Sequence, residues 1–338
     1  MARTGATIDA DTRRQVVENT IAALDKYYVF PEVAERMGEK LRTALVAGDY
    51  DHLATPAALC EKFTADLQSV SHDRHLKVRY SSEARPLDVP EEEDFAAQTA
   101  LWMAEARSVN FGFYKVERLD GNVGYLDLRD FWDAEYPGAG ETAAGAMNLL
   151  AHTDALIIDL RKNRGGAPTM VALLSSFLFK AEPVHLSSFY ERESNKTTQS
   201  WTLPYVPGPR TPDKSVYLLT SNRTSSAGEE FVYNLKNLKR ATIVGETTEG
   251  SANPGRDFPV SPHFQVFVPT GRPINPITGT NWEGTGVEPD IQVQQADALN
   301  EAYRLALGQV IAKLGHSTSE AAKAQLDEAR EALAALGG

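Results

Sequence analysis

Three short runs built on apolar blocks dictate the core of this chain: ALIIDL at 155–160, VYLLTS at 216–221 and ATIVGE at 241–246. A strand wetted on one face alternates polar and apolar residues. These runs do not alternate, so both of their faces are expected to be buried, as in a parallel sheet covered on each side by helices. Helical patterns separate them, MVALLSSFLF at 170–179 and the segment from Ser226 to Leu238, and VGYLDL at 123–128 adds a further strand. Strands alternating with helices predict an α/β core with a mainly parallel sheet.

The rest of the chain reads differently. Val17, Ile21, Leu24 and Tyr28 recur at helical spacing, as do Val33, Met37 and Leu41 after the Phe30-Pro31 break. A third helix is expected from Thr55-Pro56, a cap followed by proline in the first turn. Its apolar face would be Leu59, Phe63, Leu67 and Val70. Residues 81–100 are rich in proline and acid and read as a linker or surface excursion. The expected organisation is a helical N-terminal domain at 1–80, a linker at 81–110, the α/β core at 111–296 and an Ala-rich helical segment at 297–338.

Composition closes off several functions. A net charge of −12 with no Lys/Arg cluster argues against a nucleic-acid surface. No run reaches membrane-spanning length and the N-terminus lacks the apolar stretch of a signal peptide, so no membrane partner and a cytoplasmic location are expected. Cys60, the single cysteine, allows no internal disulfide and reads as a core thiol. His72-x-x-His75 lacks the further ligands that zinc wants, so no metal and no cofactor are expected.

Four segments carry residues suited to chemistry. TSSAGEEF, 224–231, follows a buried strand and opens a helix. Ser226 and Glu229 have the spacing of a capping box, which accounts for the octapeptide without catalysis. Yet Ser226 also stands at the carboxyl end of a strand, where open α/β sheets bind ligands, and at a helix N-terminus that offers free N–H groups to an anion. DLRKNRGG ends in Gly165 and Gly166, either a tight turn or amides that would form an oxyanion hole with the Ala227 N–H. SHDRHLKV holds His72 and His75, candidates for the base that an activated serine needs. NWEGTGVEPDIQV holds Glu283, a solvated loop acid or the carboxylate that orients an imidazole.

DRHLKV, DLRKNRGG, TSSAGEEF, IVGETTEG and EGTGVEPDIQV, in this order and with YYVFPE in the helical segment, resemble the serine peptidase family of the tricorn core protease and the C-terminal-processing (tail-specific) proteases. The same family holds the modules of interphotoreceptor retinoid-binding protein. The resemblance implies a ClpP/crotonase-like β-α-β core and, carried over by position, Ser226 as nucleophile, His75 as base and Glu283 as its orienter. Gly165 or Gly166 and the Ala227 amide would form the oxyanion hole. Tail-specific members place a lysine where this chain has Ser251, and residues 80–110 leave no room for their PDZ domain. The tricorn-like and retinoid-binding-protein-like branch therefore fits better.

Arg74 stands where the family has a small residue before the histidine. There it would draw Glu283 away or bind an acidic substrate group. His72 competes with His75 for the base role. The expected function is a serine hydrolase, a peptidase acting on a peptide or small acyl substrate, with activity rising near pH 6.5 or above as the imidazole deprotonates. The alternatives are a catalytically silent module for an apolar ligand or peptide and a non-proteolytic acyl hydrolase or transferase. Assembly into a homo-oligomer is left open.

Overall fold

The computed structural model describes residues 8–84 and 91–337. In chain order the elements are α1 (Ala10–Tyr27), α2 (Pro31–Ala47), α3 (Pro56–Ser71), β1 (Lys77–Tyr80), α4 (Glu91–Ser108), β2 (Phe113–Leu119), β3 (Val123–Leu128), α5 (Ala139–Leu149), β4 (Ala155–Asp159) and α6 (Pro168–Leu178). They continue with β5 (His185–Glu191), β6 (Lys196–Trp201), β7 (Ser215–Thr220), α7 (Ala227–Asn237), β8 (Thr242–Gly245), β9 (Gly255–Ser261), β10 (Phe264–Pro269) and β11 (Gly271–Ile274). The last are β12 (Ile291–Gln292), α8 (Ala298–Leu314) and α9 (Glu320–Ala335). The chain divides into two compact units, one of Met1–Ala97, Ser188–Thr198 and Ser251–Ile274, the other of Gln98–Ser187, Gln199–Gly250 and Asn275–Gly338.

In the first unit, α1 starts where the Asp9 carboxylate accepts from the Thr12 N–H at 2.7 Å. Pro31 opens α2, which ends at Gly48 in the left-handed region, and the Thr55 hydroxyl caps α3. These caps supply backbone partners that a helix end lacks. The apolar faces Val17, Ile21 and Leu24, Met37 and Leu41, and Leu59, Phe63 and Leu67 converge in one core. They are joined by Val78, Val260, Val266 and Val268 from an antiparallel sheet of order β1-β10-β9. β11 pairs antiparallel with β5 from Gly271↔Glu191 to Ile274↔Ser188. The helical region is thus completed by strands from much later in the sequence. Cys60 lies half-buried against this core, and burial pushes its thiol up to about 11. Part of the segment expected as a linker is helix α4, and residues 85–90 of it lie outside the described residues.

The second unit is built on a six-stranded sheet of order β12-β8-β7-β4-β3-β2. β3, β4, β7, β8 and β12 run parallel, and β2 closes one edge as an antiparallel hairpin with β3. β4 is buried at all five positions, the pattern of a strand covered on both faces. The strand order advances one way from β3 through β4 and β7 to β8, so crossovers of a single hand, as the right-handed rule expects, put α5, α6 and α7 on one face. α8 covers the other, its Ala298, Ala302 and Ala306 lying against Tyr125, Ile157, Tyr217 and Leu219. The Ala-rich C-terminal segment is the pair α8 and α9. Among the described residues no helix is long and apolar enough to cross a membrane.

Candidate active site

The loops after β3, β4 and β7 meet at the carboxyl edge of the parallel sheet. Thr224 Oγ1 donates to the Leu160 carbonyl at 2.8 Å, and Ser221 Oγ donates to that of Arg161 at 2.7 Å. The Ser225 N–H donates to the Asn163 carbonyl, and Asn163 Nδ2 donates to the Leu128 carbonyl. The turn carrying Ser226 is therefore held by the loop after β4, itself tied to the end of β3, before α7 begins.

Ser226 occupies φ +52°, ψ −122°. A non-glycine residue in the positive-φ region costs on the order of 1–3 kcal/mol and persists only where its surroundings enforce it. A sharp, strained turn from strand to helix is the device by which α/β hydrolases expose a serine nucleophile. The capping box seen in the sequence is formed. Its well-made arm is the Ser226 N–H donating to Glu229 Oε2 at 3.0 Å.

Gly165 and Gly166 complete the cradle. Both have positive φ, +93° and +137°. A Cβ on Gly165 would lie 2.6 Å from the Ser226 Cβ, and one on Gly166 would lie 2.1 Å from the Phe131 carbonyl oxygen. Only glycine fits at either position. The two differ in one respect that the sequence does not reveal. The Gly165 N–H donates to Asn163 Oδ1 at 2.9 Å, so it is not available to an oxyanion. Among the described residues neither the Gly166 nor the Ala227 amide donates a hydrogen bond. The expected pair of donors accordingly narrows to Gly166 and Ala227.

Glu229, read from sequence as a cap, is a hub. Its carboxylate is fully buried and accepts from Thr248 Oγ1 at 2.5 Å and from the Gly250 N–H at 2.6 Å, besides Ser226. Thr248 Oγ1 in turn accepts from the Val287 N–H, and the Gly250 carbonyl accepts from the Gly284 N–H. The loop bearing Glu283 is thereby bolted to the turn bearing Ser226. Asn281 Oδ1 accepts from the Glu283 N–H at 2.9 Å, and buried Trp282 packs on Tyr233 of α7. Next along α7, Glu230 is 2% exposed, and burial pushes its carboxyl up to about 8. No sequence signal marks it.

His72, Arg74, His75 and Ser251 belong to the first unit. His72 is the exposed left-handed C-cap of α3, Arg74 is exposed and Ser251 is buried. His75 is half-buried between α3 and β1, its ring 5.9 Å from that of Phe267. Its Nδ1 makes no hydrogen bond among the described residues. Burial first, then the charges of Lys77 and Arg79, push its pKa down to about 4, not to the 6.5 or higher that an imidazole beside a carboxylate suggests.

The profile of peptidase family S41 matches residues 122–293, half of the sequence. The chain belongs to peptidase family S41. Residues 10–108 match the N-terminal domain of peptidase S41 in eukaryotic IRBP. Among curated S41 relatives, the carboxy-terminal-processing protease of Bartonella bacilliformis is 27% identical over 191 residues, 55% of this chain and 42% of its own length. The chloroplastic carboxyl-terminal-processing peptidase 1 of Arabidopsis thaliana is 27% identical over 185 residues, 53% of this chain and 36% of its own. The chain spans less than half the length of these relatives. The photosystem II D1 C-terminal processing protease superposes with a TM-score of 0.52 at 14% identity, over 84% of this chain and 94% of that one, a likeness of fold.

Proposed function

We propose that this S41 member is a serine peptidase that works through an acyl-enzyme. Ser226 Oγ adds to the scissile carbonyl while His75 accepts its proton and then delivers it to the leaving amine. Glu283 fixes the imidazole tautomer and supports its positive charge. The Gly166 and Ala227 N–H groups receive the oxyanion at the N-terminus of α7. Water, activated by His75, releases the acyl group by the reverse steps. The substrate is a peptide or protein, the class implied by relatives named for carboxy-terminal processing.

The observation that carries this reading is the Ser226 turn: strained φ of +52° beside a glycine that leaves no room for a Cβ, at the start of a helix. Two further points support it. Ser251 occupies the position of the lysine base, which favours a histidine. His75 with a pKa near 4 is unprotonated, and so able to accept a proton, across the neutral range. The test is labelling by a fluorophosphonate: covalent modification of the wild type and none of Ser226→Ala. The match to the IRBP-type N-terminal domain favours a second reading, a module for an apolar ligand. That reading expects Ser226 to remain unlabelled in the folded protein.

A further inference from the structure

Asp73 is fully buried, although its neighbours His72 and Arg74 are exposed. An isolated carboxylate is costly to bury, and this one is held by several donors. Its Oδ1 accepts from the His75 N–H at 3.1 Å, closing an Asx turn over Arg74. Its Oδ2 accepts from Asn253 Nδ2 at 2.9 Å and from the Tyr28 hydroxyl at 3.3 Å. Tyr28 follows α1 and Asn253 precedes β9, so the carboxylate ties the histidine's backbone to two distant parts of the same unit. One of its oxygens also lies within 4.8 Å of a ring nitrogen of His75. A half-buried imidazole has several rotamers, and a base must hold one of them. The Asx turn fixes the Cα–Cβ direction, while Tyr28 and Asn253 keep the carboxylate from rotating.

We propose that Asp73 is a positioning residue for His75, with Tyr28 and Asn253 as the groups that hold it. This rests on the reading of His75 as the base. The role requires no proton transfer to Asp73. Burial raises the pKa of its carboxyl, while its hydrogen-bond donors pull the other way.

The test compares Asp73→Ala, Asp73→Asn and His75→Ala, with turnover of a peptide substrate expressed per site titrated by a fluorophosphonate. Asp73→Ala is expected to lower kcat by about 10²-fold, the scale of a misplaced reacting group, with KM within about twofold. Asp73→Asn keeps an oxygen for the His75 N–H and is expected to recover most of that loss. In the His75→Ala background, Asp73→Ala is expected to leave the rate of Ser226 labelling unchanged, since there is no imidazole left to position. Wild-type kcat per site in Asp73→Ala, or the same fold-loss with and without His75, overturns the proposal. Full turnover in His75→Ala instead overturns the assignment of the base. If Asp73→Ala does not fold, Tyr28→Phe and Asn253→Ala each remove one donor and leave the turn intact. A fall in kcat at constant KM is expected for both, and wild-type kcat in both overturns the proposal.

Discussion

Glu230 offers a stability test that is independent of any substrate. It is 2% exposed, its Oε1 has no hydrogen-bond partner among the described residues, and its carboxyl is pushed up to about 8 by burial, with Asn234 opposing. The folded protein therefore keeps its proton where the unfolded chain, with an ordinary value of 4.5, has lost it. A folded-state value above the unfolded one gives stability that is fully present below 4.5 and lost as pH rises to about 8. At about 1.4 kcal/mol per pH unit, the whole interval withdraws on the order of 5 kcal/mol. Glu230→Gln removes the ionisation and keeps the shape. Its advantage over the wild type is expected to grow from near zero at pH 5 to several kcal/mol at pH 8. All four tryptophans, Trp102, Trp132, Trp201 and Trp282, lie in the second unit with Glu230, so urea denaturation followed by tryptophan fluorescence reads the relevant unit. Parallel wild-type and variant curves of stability against pH would refute the reasoning.

Other outcomes follow from the same geometry. Ser226→Gly is expected to lose all turnover yet melt above Ser226→Ala in calorimetry, because glycine relieves a strain of about 1–3 kcal/mol at φ +52°. Gly165→Ala, whose new Cβ meets the Ser226 Cβ at 2.6 Å, should lower fluorophosphonate labelling by orders of magnitude in whatever fraction folds; labelling at the wild-type rate would contradict the cradle. The acid limb of kcat/KM should fall near pH 4, and Lys77→Gln should move it upward, toward 6.5, since one of the charges opposing the imidazolium is gone. A limb that stays put, or moves down, counts against His75 as the titrating base.

Strands β3, β4, β7 and β8 were legible because short apolar runs such as ALIID, set between helical patterns, suit strands covered on both faces; β2, FYKVERL, has no such run and was not. Helices α1 to α3 announced themselves by spacing and by the Thr55-Pro56 cap. Ser226 could be singled out because strand and helix patterns meet at it. What stayed hidden depends on long-range burial. β9 and β10 carry Pro259 and Pro269 and show no local sign of belonging with helices near the N-terminus. Glu229 reads only as half of a capping box, and Asp73 as a loop acid, until the donors around them are seen. Gly165 and Gly166 are equivalent on paper, and only the Asn163 side chain separates them. The low pKa of His75 has the same origin, since burial and the outward row of Lys77 and Arg79 come from the fold.

The first unit is assembled from three separated stretches of chain, ending at Ile274. On a ribosome adding roughly 5–20 residues per second, α1 to α3 emerge tens of seconds before Val260, Val266 and Val268, which complete their core. Throughout that interval the part of their apolar faces that meets these valines lacks its cover. A fragment ending near residue 110 should accordingly show helical circular dichroism without cooperative unfolding, and bind a hydrophobic dye. The domain nearest the beginning of the chain is among the last to be finished.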